Sequence, residues 1–122
     1  MRIEMKSFAL SLAAATSFLI LPIAAASADA ESADAAQAVR EKGRALFQGT
    51  GCFQCHTLAH ADANGAYAPS LDNNANLNRA FVIATLTSGR GDMPSFGGLL
   101  SEDEMALLAD YLVQEGKKDG AP

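Results

Sequence analysis

The chain of 122 residues is long enough for one domain and too short for two ordinary ones, which excludes a multidomain enzyme. Apolar residues make up 49% and charged residues 19%, a balance that builds a packed core and excludes a disordered or collagenous chain. The formal charge of −5 excludes a nonspecific nucleic-acid binder, which needs a basic face, and two cysteines cannot staple the fold as a disulfide framework.

The N-terminal segment reads as an address. Arg2 and Lys6 precede residues 7–28, which carry no charge and whose middle holds Phe8, Leu10, Leu12, Phe18, Leu19, Ile20 and Leu21. Pro22 ends the apolar run, and Ala26-Ser27-Ala28 puts small residues at the positions a signal peptidase reads. Residues 1–28 are therefore expected to be a signal peptide, cut after Ala28. The rival reading is an uncleaved anchor, since roughly 20 apolar residues span a bilayer. The Ala/Ser-rich end and the missing positive stop after it speak against that. What remains after cleavage is small, acidic and marginal on its own, so a bound cofactor would help it fold. Residues 29–37 hold mainly Ala, Ser, Asp and Glu and read as a flexible tail leading into a helix; the domain is expected over 38–118.

Between Ala35 and Gln48, Ala36, Val39, Gly43, Leu46 and Phe47 recur at helical spacing, and Gly49-Thr50-Gly51 supplies a stop. Gly43 costs roughly 1 kcal/mol relative to Ala inside a helix, which implies either local weakness or the close crossing of another element. Gly49 to Leu77 has glycines, Asn73-Asn74, Asn76 and Pro69 in place of a regular pattern. So long a loop needs a reason, and wrapping a large apolar cofactor supplies one. Asn78 is a plausible cap for a short helix over Ala80, Phe81, Val82, Ile83, Ala84 and Leu86, apolar almost all round and expected to be buried, with Gly89 ending it. Ser101 and Glu104 predict a capping box, Glu102 and Asp103 suit the positive helix end, and Met105, Leu108, Ala109 and Leu112 form one face. Gly116, Lys117 and Lys118 read as its stop. No alternating run predicts a sheet of consequence, so the fold is expected to be all-α.

Cys52-Phe53-Gln54-Cys55-His56 carries the chemistry. C-x-x-C-H is an attachment signature for haem c: two thiols add to the vinyl groups and the adjacent imidazole is aimed at the iron. A thioredoxin-like redox pair uses the same cysteine spacing but belongs in a βαβ pattern, of which there is no sign. A tetrahedral zinc site using Cys52, Cys55 and His56 or His60 lacks a fourth ligand at a usual spacing. A plain disulfide in an exported protein remains the last rival.

With these residues in place the chain resembles the class I cytochromes c, small exported monohaem proteins, over nearly all of the expected mature chain. Gly43-x-x-x-Phe47 and Leu108-x-x-Tyr111 resemble the family's pair at the crossing of its terminal helices, which accounts for the costly glycine. The resemblance implies an all-α cytochrome c fold: crossed N- and C-terminal helices, a short middle helix, and loops wrapped around one haem. Ala68-Pro69-Ser70-Leu71 is similar to the stretch whose proline carbonyl accepts the second ring N–H of the haem histidine, which would put Pro69 behind His56 and fix its tautomer. Gly89 to Leu112 is most similar to bacterial and photosynthetic short-chain members.

Gly89-Arg90-Gly91-Asp92-Met93-Pro94-Ser95-Phe96 is a glycine-rich loop with one soft thioether beside a proline. It resembles the family's Gly-x-Met-Pro-x-Phe pattern, and Met93 is expected as the second axial ligand. Met1 and Met5 leave with the signal, Met105 falls on the apolar face of the last helix, and His60 lies only four residues after His56. Leu58, Leu71, Leu77, Phe81, Val82, Phe96 and Leu99 are expected to line the haem edge. Arg90 and Tyr67 stand as propionate contacts or as solvated surface. Asp62, Asp72, Asp92 and Asp110 are read as solvated.

Iron closed by His56 and Met93 has no open place for substrate, which leaves electron transfer. The expected function is that of a periplasmic one-electron carrier, monomeric, not inserted in a membrane after cleavage, meeting redox donors and acceptors transiently and no nucleic acid. Two alternatives stay open: a dedicated cytochrome subunit of a periplasmic dehydrogenase, and an open-site gas sensor or peroxidase-like protein.

Overall fold

The computed structural model describes residues 24–117. The apolar middle of the expected leader lies outside the described residues. Three helices carry the fold: α1 spans Ala24–Gly49, α2 Arg79–Ser88 and α3 Glu102–Gly116. The only ladder among the described residues is a pair of two-residue strands, β1 (Thr57–Leu58) and β2 (Ala63–Asn64), antiparallel with Thr57 opposite Asn64.

The first helix begins earlier than its apolar period predicts. Residues 29–37, expected as a tail, are helical and mostly exposed. Alanine is the strongest helix former, and its repeats sustain the helix here without an apolar face to bury. Polar contacts along the rod assist: the Gln37 side-chain amide donates to Glu41 Oε1 (2.7 Å) and Arg40 Nε donates to Gln37 Oε1 (3.1 Å).

The core forms where α1 crosses α3. A Cβ at Gly43 would lie 2.3 Å from Tyr111 Cβ, so only glycine lets the two helices meet there. One turn on, Phe47 packs edge-on against Tyr111 with ring centroids 6.5 Å apart, and both residues are fully buried. Met105, Leu108, Ala109 and Leu112 complete the buried face of α3. Its start is fixed by the capping box: Glu104 N–H donates to Ser101 Oγ (3.2 Å), and Ser101 N–H donates to Glu104 Oε2 (2.8 Å). The Ser101 N–H bond, with a second from the Ser101 hydroxyl to the same Oε2 (2.9 Å), holds the Glu104 pKa below its ordinary value. At the other end the helix stops where expected, at Gly116 with Lys117 as its C-cap. That glycine is the last helical residue, buried against Leu71 and Leu77, and its carbonyl accepts from Asn74 N–H (3.2 Å).

Helix α2 starts as expected, with Asn78 Oδ1 accepting from Phe81 N–H (2.9 Å). It is not buried all round. It packs on α3 through one side, so Val82 and Leu86 are buried while Ala80, Phe81 and Ala84 are exposed. The four aspartates remain solvent-accessible as expected, and each has a partner distant in sequence. Asp62 pairs with Arg44, Asp110 with Arg79 (2.8 Å), and both carboxylate oxygens of Asp72 accept from Ala59 N–H (3.0 Å each). Asp92 accepts from the Tyr67 hydroxyl (3.0 Å).

Candidate functional site

The Cys-x-x-Cys-His segment is a tight turn set directly after α1. Gly51 adopts a left-handed φ of 80°, a single 3-10 turn follows over Cys52–Gln54, and the amides of Cys55 and His56 both donate to Cys52 O (3.2 and 3.0 Å). Two sulfurs and one imidazole thereby leave a single turn of backbone. Cys52 is partly buried, with Sγ 3.2 Å from Thr50 Oγ1, and burial pushes its thiol pKa up; Cys55 is exposed. Both thiols are free.

A second segment braces this turn from behind. Thr57 Oγ1 donates to Gly65 O (2.7 Å) and Ala68 N–H donates to Cys55 O (2.9 Å). A Cβ at Gly65 would lie 2.5 Å from the Cys55 carbonyl carbon and 2.7 Å from the nitrogens of Cys55 and His56. Backbone rests on backbone, and any larger residue would displace the turn. Sequence reasoning passed over Gly65; a lone glycine beside a short strand is the local signal of such an approach.

His56 Nδ1 stands 2.8 Å from Pro69 O. The carbonyl can only accept, so Nδ1 carries the proton and donates, and Nε2 keeps the lone pair that a metal ion takes. Met93 sits in a turn closed on itself, Arg90 N–H donating to Met93 O and Met93 N–H to Arg90 O (3.0 Å each). The loop is tied to α2 by Gly89 N–H on Thr85 O (2.8 Å) and Phe96 N–H on Leu86 O (2.7 Å). Met93 is partly buried against the core. The two residues set aside as ligands lie elsewhere: Met105 is in the core, with Sδ 3.7 Å from Thr87 Oγ1, and His60 Nδ1 is 3.0 Å from the Tyr111 hydroxyl at the helix crossing. Tyr111 is further pressed by the Glu115 carboxylate, which lies 4.0 Å from His60 Nε2. Burial first, and that charge second, push the Tyr111 phenol up to about 12.

Of the expected apolar wall, Leu58, Leu71, Leu77, Val82 and Phe96 are buried. Phe81 is surface-exposed, with the Arg90 guanidinium 5.4 Å above its ring, and Leu99 is 68% exposed. The turn after Phe96 gives the inward place to Leu100, and Leu99 stands beside an open groove of about 570 Å³ reaching Lys42, Leu46 and Thr50. Tyr67 and Arg90, left between propionate and surface roles, hold Asp92 and Phe81 respectively. Paired free thiols, an imidazole with its outer nitrogen already engaged, a partly buried thioether and an apolar wall form a donor set that fits a haem c.

Comparison with known proteins agrees. The family described as "Cytochrome C oxidase, cbb3-type, subunit III" matches residues 38–112. Cytochrome c6 of Leptolyngbya boryana is 31% identical over 70 residues, 55% of this chain and 82% of that one. Cytochrome c6 of Diacronema lutheri is 30% identical over 77 residues, 60% of this chain and 92% of that one. Among solved structures, the c-type cytochrome SorU from Sinorhizobium meliloti superposes with a TM-score of 0.60 at 29% identity, over 68% of this chain and 97% of that one. Three helices, little sheet and this attachment turn define a small monohaem class I cytochrome c. The chain belongs to the cytochrome c family matched over residues 38–112, carries one covalently bound haem c, and transfers electrons.

Proposed function

We propose that the protein is an exported, periplasmic one-electron carrier in which Cys52 and Cys55 hold the haem and His56 and Met93 are its axial ligands. The observation that carries the reading is the His56 Nδ1 to Pro69 O hydrogen bond, which fixes one tautomer and leaves Nε2 as the ligand. The haem, when bound, supplies a one-electron iron couple. The chain's own residues do the rest. Pro69 O holds the imidazole orientation, and its partial negative charge strengthens Nε2 as a donor. Met93, a soft neutral ligand, favours the ferrous state, as do the apolar side chains of Leu58, Leu71, Leu77, Val82 and Phe96 by limiting water. Were His56 and Met93 both to hold the iron, no position would be open to a substrate, and the protein would return unchanged after each transfer.

Among the described residues no helix is long and apolar enough to cross a membrane, which is compatible with a diffusing carrier. Its redox partners are met transiently, and an acidic chain suits a partner with a basic rim, with an association rate that falls as salt rises.

The test is the optical spectrum of protein exported together with a haem-attachment machinery. A covalent c-type spectrum, the weak ferric band of a methionine ligand and no response of the reduced form to carbon monoxide are expected. A covalent spectrum without that band, with prompt carbon monoxide binding, overturns Met93 as ligand; absence of covalent haem overturns the whole reading.

A further inference from the structure

The proposed ligands come from two separate loops, His56 from residues 50–72 and Met93 from residues 89–97. The second loop is tied to α2 through Gly89, Ser95 and Phe96, and to itself through the Arg90–Met93 turn. Those bonds fix it relative to α2 and say nothing of its distance from the His56 loop. Among the described residues one hydrogen bond joins the two loops: the Tyr67 hydroxyl donates to Asp92 Oδ2 at 3.0 Å. Tyr67 lies two residues before Pro69, the residue behind His56, and Asp92 directly precedes Met93. The bond therefore joins a residue two positions from Pro69 to the residue that precedes Met93. It is made at the surface, where Tyr67 is 75% exposed, so it serves no core.

The geometry points to Tyr67 and Asp92 as a clasp, a pair of positioning residues that hold the Met93 loop closed over the haem and resist exchange of its thioether for an external ligand. This rests on the proposed ligation by Met93. A carboxylate acceptor strengthens the bond and solvent weakens it, so its net worth falls in the ordinary range for a single hydrogen bond. That range corresponds to about a fivefold change in the population of the open loop. Arg90 acts on the other side of the same turn, its guanidinium over Phe81, so the tip of the loop is held from α2 and from the His56 loop at once.

The probe is imidazole, a neutral nitrogen ligand that displaces a thioether from ferric haem without any electron being gained or lost. Titration of the oxidised holoprotein gives its dissociation constant, and the ferric methionine band shows whether the thioether is bound at the start. Tyr67→Phe and Asp92→Ala are each expected to tighten imidazole binding about fivefold. The double variant is expected to match either single one, because both remove the same bond. Asp92→Asn, which keeps an acceptor oxygen, should recover part of the difference. The urea midpoint of the four variants should stay close to that of the parent, since a merely structural role would move stability and not exchange. If the parent shows the methionine band but both variants bind imidazole as the parent does, the clasp is overturned. Independent, multiplying effects of the two substitutions overturn it as well. A parent that lacks the band and binds imidazole as tightly as Met93→Ala overturns the ligation itself, a different outcome.

Discussion

Where α1 crosses α3, Phe47, Leu108, Ala109 and Tyr111 are sealed from water and the backbones touch through Gly43. The loops that carry the proposed ligands are held otherwise: Tyr67 and Leu99 lie open to solvent, and single hydrogen bonds join His56 to Pro69 and Tyr67 to Asp92. The crossing draws its stability from packed apolar surface, which is strong, nondirectional and supplied by the chain. The loops draw their order from directional bonds at defined atoms, each modest in energy and specific in geometry. Damage to the first region should therefore appear as unfolding, and damage to the second as altered attachment or ligand exchange in a folded protein.

Tyr111→Ala should show the largest effect. It deletes a fully buried ring between two helices and should cost about 3–5 kcal/mol in chemical denaturation of the holoprotein. A loss below about 1 kcal/mol would mean that the cofactor, not the crossing, holds the helices together. The same residue sets a pH limit. Its phenol is raised to about 12 in the folded chain from an ordinary value of 10.0, so the neutral form is favoured by folding. Its contribution is intact below pH 10 and is lost as pH rises from 10 towards 12. Denaturation midpoints at pH 9 and pH 11.5 should fall further in the parent than in Tyr111→Phe; equal falls would remove Tyr111 from the alkaline response.

Gly65→Ala sharpens the contrast from the other side. Its methyl group meets the Cys55 and His56 backbone, and the overpacking should cost about 1–3 kcal/mol at the attachment turn. The fraction of exported protein bearing covalent haem should drop, while the molecules that do carry it keep the parent's helical circular dichroism. Loss of helix in those molecules would show the two regions to be a single unit. The smallest change is Ser101→Ala, which removes the α3 cap and should cost about 1 kcal/mol in the urea midpoint with imidazole binding unchanged.

The parts of the fold readable in the sequence are those whose cause is local. A capping box spans four residues, a helical face repeats every three or four, and Cys-x-x-Cys-His is contiguous, so each stands in one window. Gly43 is readable because a costly glycine in a helix implies a close neighbour, and Tyr111 supplies it. Other features depend on partners far along the chain. Asp62 meets Arg44, Asp110 meets Arg79, and Tyr67 meets Asp92, none at a spacing that a local pattern reports. The helicity of 29–37 was hidden for a different reason: it has no buried face, and apolar periodicity says nothing about a helix sustained by alanine.

That alanine-rich rod changes how the molecule's charge is felt. At 1.5 Å per residue, Asp29 stands about 30 Å along the α1 axis from Gly49, where the attachment turn begins, and Asp34 about 22 Å. Physiological salt screens charge over about 8 Å, so the carboxylates of Asp29, Glu31 and Asp34 contribute almost nothing to the field beside Cys52 and His56. A partner approaching that end meets a less negative surface than the formal charge of −5 announces.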